Sequence, residues 1–125
     1  MNAALQVAFG AIIGSAARYG VGTLVPVESG SLPWATLVVN TLGALLLGAV
    51  FGLVSYRPRL VGSPLTFFVG QGVLGSFTTF SAFAVEADLL VSDGEPTLAL
   101  LYVLATLAVG LAATRAGVAL GMRRA

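Results

Sequence analysis

Long uncharged, apolar runs alternate with short polar segments along this chain of 125 residues. A helix needs about 20 consecutive apolar residues to cross a bilayer. We therefore predict four membrane-spanning helices, over residues 3–25, 33–55, 65–90 and 97–121. The connections are short and contain proline, which suits the first turn of a helix, so consecutive spans should run antiparallel. The pattern predicts an all-α membrane protein with a single four-helix transmembrane domain over residues 1–125, inserted in a lipid bilayer.

The composition of the chain favours the same class. Hydrophobic residues make up 58% of the chain and charged residues 9%, whereas a soluble domain carries roughly 25% charged residues. Cysteine and histidine are both absent, which excludes disulfides, thiolate chemistry, Cys/His metal sites and imidazole acid–base chemistry. The spans show no nucleophile–base pair, so we expect no enzyme. The net charge of +1 gives no reason to expect a nucleic-acid partner.

Charged residues are distributed unevenly between the two sides of the predicted bundle. The side with both termini carries four arginines: Arg57, Arg59, Arg123 and Arg124. The charged residues of the opposite loops are all acidic: Glu28, Asp93 and Glu95. Cytoplasmic loops of membrane proteins are enriched in Lys and Arg, so both termini are predicted to be cytoplasmic. The first span lacks the basic start of a signal peptide, and we expect it to be retained.

The third span contains an unusual stretch, GVLGSFTTFSAF, at residues 72–83. Its two glycines lower helix propensity, the adjacent Thr78 and Thr79 are β-branched and stiff, and Ser and Thr hydroxyls compete for backbone hydrogen bonds. We predict that the helix is interrupted here, near the middle of the membrane. Non-helical backbone at this depth is found where it is buried in protein or lines an aqueous cavity. A continuous but kinked helix is the alternative.

Aromatic residues recur every three positions through the same stretch: Phe77, Phe80 and Phe83, followed by Glu86. Such a stripe is usually core packing, but the positive edge of a benzene ring can also face an anion.

In the second span, Asn40 needs a hydrogen-bonding partner if it is surrounded by hydrocarbon. Either it bonds to a neighbouring helix or it lines a polar path, and the spacing alone leaves both open.

Two further rows of residues lie at steps of four, which places each row on one helix face. The first span carries Gly10, Gly14, Arg18 and Gly22, and the last carries Tyr102, Thr106, Gly110 and Thr114. The glycines predict close helix packing, and an arginine in a span must reach protein, water or headgroups. The hydroxyls either bond back to their own helix or form a ladder of donors.

Three motifs together resemble the signatures of the bacterial fluoride channels, the Fluc or CrcB family: GSFTTFSAF at 75–83, VNTLG at 39–43 and GAIIGSAARYG at 10–20. The resemblance covers nearly the whole chain, including the order of the motifs and the glutamate after the phenylalanines. It implies a dual-topology dimer of two antiparallel subunits, with two fluoride pores along the interface and a structural sodium ion at its centre. The implied function is passive export of fluoride from the cytoplasm across the plasma membrane.

The resemblance also implies roles for particular residues. Backbone carbonyls of Gly75 and Thr78 from each subunit would hold the sodium ion. The residues that match the family's fluoride pore are Asn40, Phe80, Ser81, Phe83, Tyr102 and Thr106. Arg18 and Glu86 match the family's arginine and glutamate, and their roles stay open.

The second subunit is expected to be either an identical chain or a paralogue. A subunit that inserts in both orientations should have nearly balanced basic loops, and the arginine bias here favours a heterodimer. Where the family often has hydroxyls, this chain has Ala82 and Gly110, which leaves a non-conducting partner subunit as an alternative function. A small multidrug exporter is a further alternative, but the membrane-embedded glutamate that it needs early in the first helix is absent.

Overall fold

Helices connected by short turns account for most of the computed structural model, which describes residues 1–26 and 28–123. We number them α1 (Ala3–Leu24), α2 (Trp34–Tyr56), α3, α4 (Phe80–Ser92) and α5 (Pro96–Arg123). α3 is wound as a π-helix over Leu65–Leu74 and ends in one α-helical turn, Gly75–Phe77. A 3₁₀ turn, Pro58–Leu60, precedes it. Arg124, one of the arginines used to predict the orientation, lies outside the described residues.

The four predicted spans are confirmed. α1, α2 and α5 are each long and apolar enough to cross a membrane, and so is the segment Leu65–Ser92, which contains α3 and α4. The described part of the chain contains no strand. The protein is therefore an all-α, multi-pass membrane protein.

The predicted interruption of the third span is also confirmed, and the alternative of a continuous helix is wrong. Thr78 (φ −73°, ψ 157°) and Thr79 (φ −146°, ψ 126°) are both extended. They separate α3 from α4, and we refer to these two residues as the break. The π-helical winding of α3 has no counterpart in the sequence predictions.

Local sequence sets where the helices begin. Asn2 Oδ1 accepts a hydrogen bond from the Leu5 amide at 2.9 Å at the start of α1. Thr79 Oγ1 accepts one from the Ala82 amide at 3.1 Å at the start of α4. Such side-chain caps satisfy amides that have no partner within the helix. The other spans begin at or directly after proline, whose fixed φ suits a helix start.

The loop between α1 and α2 is joined to the loop between α4 and α5 at the acidic end of the molecule. Asp93 Oδ2 accepts hydrogen bonds from Ser29 Oγ at 2.7 Å and from the Gly30 amide at 3.1 Å. Gly30 can do this because it adopts a positive φ of 70°, which other residues rarely take. A small hydrophobic core lies next to these loops and consists of Leu90, Ala99 and Tyr102.

Glycine brings the backbones of α2 and α5 into direct contact. The glycines at this contact are Gly48, Gly52, Gly117 and Gly121. A β-carbon on Gly48 would collide with the Thr114 carbonyl, and one on Gly117 would collide with the Leu45 carbonyl. Without such a side chain the helices approach closely enough for van der Waals packing of their backbones, which is a main source of helix association in lipid.

α1 and α3 form a second pair of this kind. A β-carbon on Gly10 would collide with the Phe68 carbonyl, and one on Gly14 with the Val73 carbonyl. The packing role predicted for the glycines of the first span is therefore confirmed for these two residues. Gly22 makes no such contact within the single chain: apart from the neighbouring backbone of α1, no atom of the described residues lies within 4 Å of the position where its β-carbon would be.

The contact between α2 and α5 leads to a stability prediction. Gly117→Ala should lower the free energy of unfolding by about 1–3 kcal/mol, because the added methyl group overpacks a backbone contact. Gly110→Ala on the same helix is the matched control: its β-carbon meets no atom of the described residues within 4 Å, and alanine has the higher helix propensity. Thermal unfolding of the purified variants in detergent would measure the difference, and equal melting temperatures would contradict the packing model.

Candidate functional site

The break is held by one side chain from α2. Asn40 Nδ2 donates to the Thr79 carbonyl at 2.9 Å, and the Thr79 amide donates to Asn40 Oδ1 at 2.8 Å. Both polar backbone groups of Thr79 are thereby satisfied by a residue 39 positions away in the sequence. This settles what Asn40 bonds to: it makes an interhelical contact, directed at the backbone of the break.

The same arrangement diverts the donors that two carbonyls would have in an unbroken helix. In an α-helix the amide of residue i donates to the carbonyl of residue i−4. The Thr79 amide, which would reach Gly75, donates to Asn40 instead. The Ala82 amide, which would reach Thr78, donates to the Thr79 hydroxyl. Gly75 and Thr78 are therefore left with carbonyl oxygens that lack their usual helical partners.

The end of α3 is stabilised from α1. Arg18 Nε donates to the Ser76 carbonyl at 3.2 Å. A cation at a helix C-terminus compensates the partial negative charge of the terminal carbonyls. The Leu74 carbonyl accepts from both the amide and the hydroxyl of Thr78, each at 3.1 Å. Arg18, whose role the sequence leaves open, thus supports the helix end that leads into the break.

A cavity of about 380 Å³ lies beside the break, between α2, α4 and α5. We call it the break cavity. Four predicted pore residues line it: Asn40, Phe80, Phe83 and Thr106. Both break residues line it as well, and most of the remaining wall is apolar. No acidic or basic side chain of the described residues is among its lining residues.

Aromatic rings and one free hydroxyl give the break cavity its chemistry. The rings of Phe80 and Phe83 have centroids 5.7 Å apart and are tilted by 51°. Phe80 is 79% exposed in the single chain. Thr106 Oγ1 is buried and has no hydrogen-bond partner among the described residues. A buried hydroxyl without a partner is uncommon in proteins, and this one belongs to a residue of the cavity wall.

The other two predicted pore residues do not line the break cavity in the single chain. Ser81 is exposed, with its Oγ 3.2 Å from Thr79 Oγ1. Tyr102 is completely buried, and its hydroxyl donates to Glu86 Oε2 at 2.8 Å. The ring of Tyr102 packs on Phe83 with centroids 5.4 Å apart. Their places in a fluoride pathway stay predictions.

Glu86 is the centre of a hydrogen-bonded group that sequence reasoning missed. Thr36 donates to Glu86 Oε1 at 2.7 Å, while Tyr102 donates to the other oxygen. Each carboxyl oxygen of Glu86 thus accepts one hydrogen bond from a hydroxyl. Thr36 lies four residues before Asn40, on the same face of α2, but this spacing does not reveal that its partner is Glu86 on α4.

A second cavity, of about 560 Å³, lies between α1, α2 and α4. Arg18 and Glu86 both line it, together with Thr36 and Thr79. We call it the arginine cavity. The two residues whose roles the sequence leaves open are therefore on the wall of one cavity, while the uncharged pore candidates Phe80, Phe83 and Thr106 line the break cavity.

The chain matches the family model "CrcB-like protein, Camphor Resistance (CrcB)" over residues 5–118. It is similar to the fluoride-specific ion channel FluC of Paracoccus denitrificans, at 44% identity over 94% of this chain and 92% of that protein. The FluC proteins of Agrobacterium fabrum and Thermus thermophilus are each 43% identical over 97% of this chain and 96% of theirs. The family match and these similarities extend over nearly all of the chain. The chain belongs to the CrcB-like protein family.

Proposed function

We propose that this protein is a fluoride-specific ion channel that lets fluoride leave the cytoplasm passively. The observation that carries the proposal is the break cavity, where an interrupted membrane helix, an amide, a free hydroxyl and two phenylalanine rings meet. The similar proteins of Paracoccus, Agrobacterium and Thermus are named fluoride-specific ion channels, which supports the same function here.

The lining of the break cavity suits a small, strongly hydrated anion. Moving a polar or charged species out of water is costly unless hydrogen bonds replace the lost water. The Asn40 amide has two N–H donors, of which one is used by the Thr79 carbonyl, so the other can face the ion. The Thr106 hydroxyl and the positive edges of Phe80 and Phe83 add further favourable contacts.

The same lining would also let the ion leave. The amide and the hydroxyl are dipoles and the two rings are quadrupoles, so none of these groups carries a full charge. A conducting site must bind strongly enough for entry and weakly enough for exit. Arg18 donates to the Ser76 carbonyl. It lines the arginine cavity and is not among the residues that line the break cavity. Fluoride in the break cavity would therefore meet partial charges only.

Gly75 and Thr78 fit a structural sodium ion. Their carbonyls are the ones whose helical donors are diverted to Asn40 and to the Thr79 hydroxyl, and unwound backbone carbonyls in membrane proteins are suitable sodium ligands. Gly75 is exposed in the single chain and has no side chain to block access. When bound, the ion would supply a fixed positive potential next to the break cavity.

We infer that the functional unit is an antiparallel dimer. One chain offers only two of these carbonyls, and a second subunit would add two more. Phe80, at 79% exposure, would also be covered. The basic bias of the terminal side favours a paralogous partner of fixed opposite orientation, over a second copy of this chain. A non-conducting partner role remains the second candidate, motivated by Ala82 and Gly110 in place of hydroxyls.

In this arrangement the protein lies in the plasma membrane with its termini in the cytoplasm. The membrane potential would then drive fluoride outward, because moving one charge across 100 mV is worth about 2.3 kcal/mol. No coupling ion is needed for this direction.

Fluoride efflux from liposomes that contain only this chain tests conduction, measured with a fluoride electrode. If the chain forms a channel with itself, we expect rapid efflux in sodium buffer and a large loss of efflux when sodium is replaced by N-methylglucamine, since the carbonyl site would be empty. The same replacement should lower the melting temperature of the dimer, which is a readout independent of conduction.

Efflux that appears only with a co-expressed paralogue would favour the heterodimer, and a lack of fluoride efflux in both preparations would contradict the channel proposal. Sodium-independent efflux and stability would argue against the sodium site alone.

Phe80→Ile should reduce efflux to the level of empty liposomes while the dimer stays intact. The substitution keeps the residue apolar but removes the positive ring edge that faces the ion. Phe9→Ile is the matched control, because Phe9 is an exposed residue of α1 outside the break cavity. Size-exclusion chromatography verifies the dimer. Normal efflux through the Phe80 variant would remove the argument from aromatic edges.

Asn40→Asp should be severe for two reasons. A carboxylate about 4 Å from the anion repels it by about 4 kcal/mol at an effective dielectric constant of about 20, so efflux should fall more than about 100-fold. The carboxylate also loses the N–H that holds the Thr79 carbonyl. Gln6→Glu is the control, since it makes the same amide-to-acid change outside the break cavity. Undiminished efflux would show that Asn40 is not a pore donor.

A further inference from the structure

An apolar groove runs along the outside of the helices near the end where both termini lie. It has a volume of about 340 Å³ and lies between α2, α3 and α5. Its main lining residues are Leu46, Val50, Leu53, Leu65, Val69 and Leu120. We refer to it as the apolar groove. Concave apolar surface on the outside of a membrane helix bundle is suited to a flexible hydrocarbon chain, because a rigid bundle cannot close it without distorting packed helices.

The apolar groove faces away from the break cavity. On α2 the break cavity is lined by Asn40, Ala44, Leu47 and Phe51, at steps of four and three. The groove residues Leu46, Val50 and Leu53 follow the same steps on the opposite face. A partner subunit that covers the break cavity would therefore leave the groove open to lipid.

Basic residues follow the groove residues of α2 and α5 closely in sequence. Leu120 is three residues before Arg123, which ends α5, and Leu53 is six residues before Arg59 in the following turn. Both arginines are exposed. The acidic residues of the chain are all elsewhere, on the loops and on α4 at the other end: Glu28, Glu86, Asp88, Asp93 and Glu95. The boundary next to the groove is therefore electropositive.

We propose that the apolar groove binds one acyl chain of an anionic phospholipid whose headgroup is held by Arg59 and Arg123. The charge of the boundary selects an anionic headgroup over a zwitterionic one, because each basic residue near a membrane surface attracts anionic lipid. The apolar wall below it accommodates the chain without a polar requirement. The site belongs to the outer surface of the subunit and is independent of the fluoride proposal.

Native mass spectrometry of the full-length protein tests this inference. The protein in detergent is titrated with dioleoyl phosphatidylglycerol and, separately, with dioleoyl phosphatidylcholine, which carries the same chains. We expect the anionic lipid to bind about 25-fold more tightly than the zwitterionic one. Each of the two arginines should contribute about fivefold, and the two factors multiply. The double variant Arg59→Gln/Arg123→Gln should lose this selectivity. Arg115→Gln removes one charge from an exposed position of α5 that does not line the groove, and its selectivity should be unchanged.

A second pair of variants tests the acyl-chain part. Leu46→Trp places a bulky side chain in the groove and should weaken binding of both lipids, whereas Leu111→Trp, at an exposed position of α5 outside the groove, should not. Circular dichroism verifies that each variant is folded. If Leu46→Trp does not fold, the arginine variants still test the proposal. Equal affinity of the unmodified protein for the two lipids overturns the proposal. So does unchanged selectivity of the double variant, or dissociation of a dimer by Leu46→Trp, which would mean that a second subunit covers the groove.

Discussion

The interruption of the third span depends on one amide side chain, that of Asn40. In the interior of a bilayer each backbone group without a partner costs several kcal/mol, so an interrupted helix needs replacement hydrogen bonds from the protein itself. Asn40 supplies them at both the amide and the carbonyl of Thr79, and the Thr79 hydroxyl caps α4. Because these donors and acceptors are now paired with side chains, the carbonyls of Gly75 and Thr78 lose their helical partners. The Asn40 contact thus diverts the donor of the Gly75 carbonyl, and the Thr79 cap diverts that of the Thr78 carbonyl.

The spans and the interruption could be predicted from sequence because their causes are local. Length and hydrophobicity determine where a helix can cross a bilayer, and the run of glycine, serine and threonine before Phe80 weakens a helix whatever surrounds it. Close packing at Gly10 and Gly14 follows from their spacing in the same way. The partner of Asn40 could not be predicted, because it depends on the register of α2 against a segment 39 residues away. Spacing therefore left its two interpretations open.

The hydroxyl row of α5 illustrates a second limit. Steps of four place Tyr102, Thr106 and Thr114 on one face, but neighbouring helices give each hydroxyl a different environment. Tyr102 donates to Glu86, Thr106 has no partner among the described residues, and Thr114 bonds back to the Gly110 carbonyl at 2.9 Å. A pattern of spacing cannot distinguish these three cases, since each is decided by what α2 and α4 place opposite the row. The same reason explains why the contact of Thr36 with Glu86 was missed.

The glycine contacts also restrict how the subunit can move. Where side chains interdigitate, a small sliding of one helix past another can be absorbed by changes of rotamer. Between α2 and α5, and between α1 and α3, backbone lies directly on backbone, so there are no rotamers at the contact to absorb a shift. Each pair should therefore behave as a rigid body. Any relative displacement of the two bodies would have to be accommodated by the segments that join them, and at the break it would have to change the two hydrogen bonds between Asn40 and Thr79.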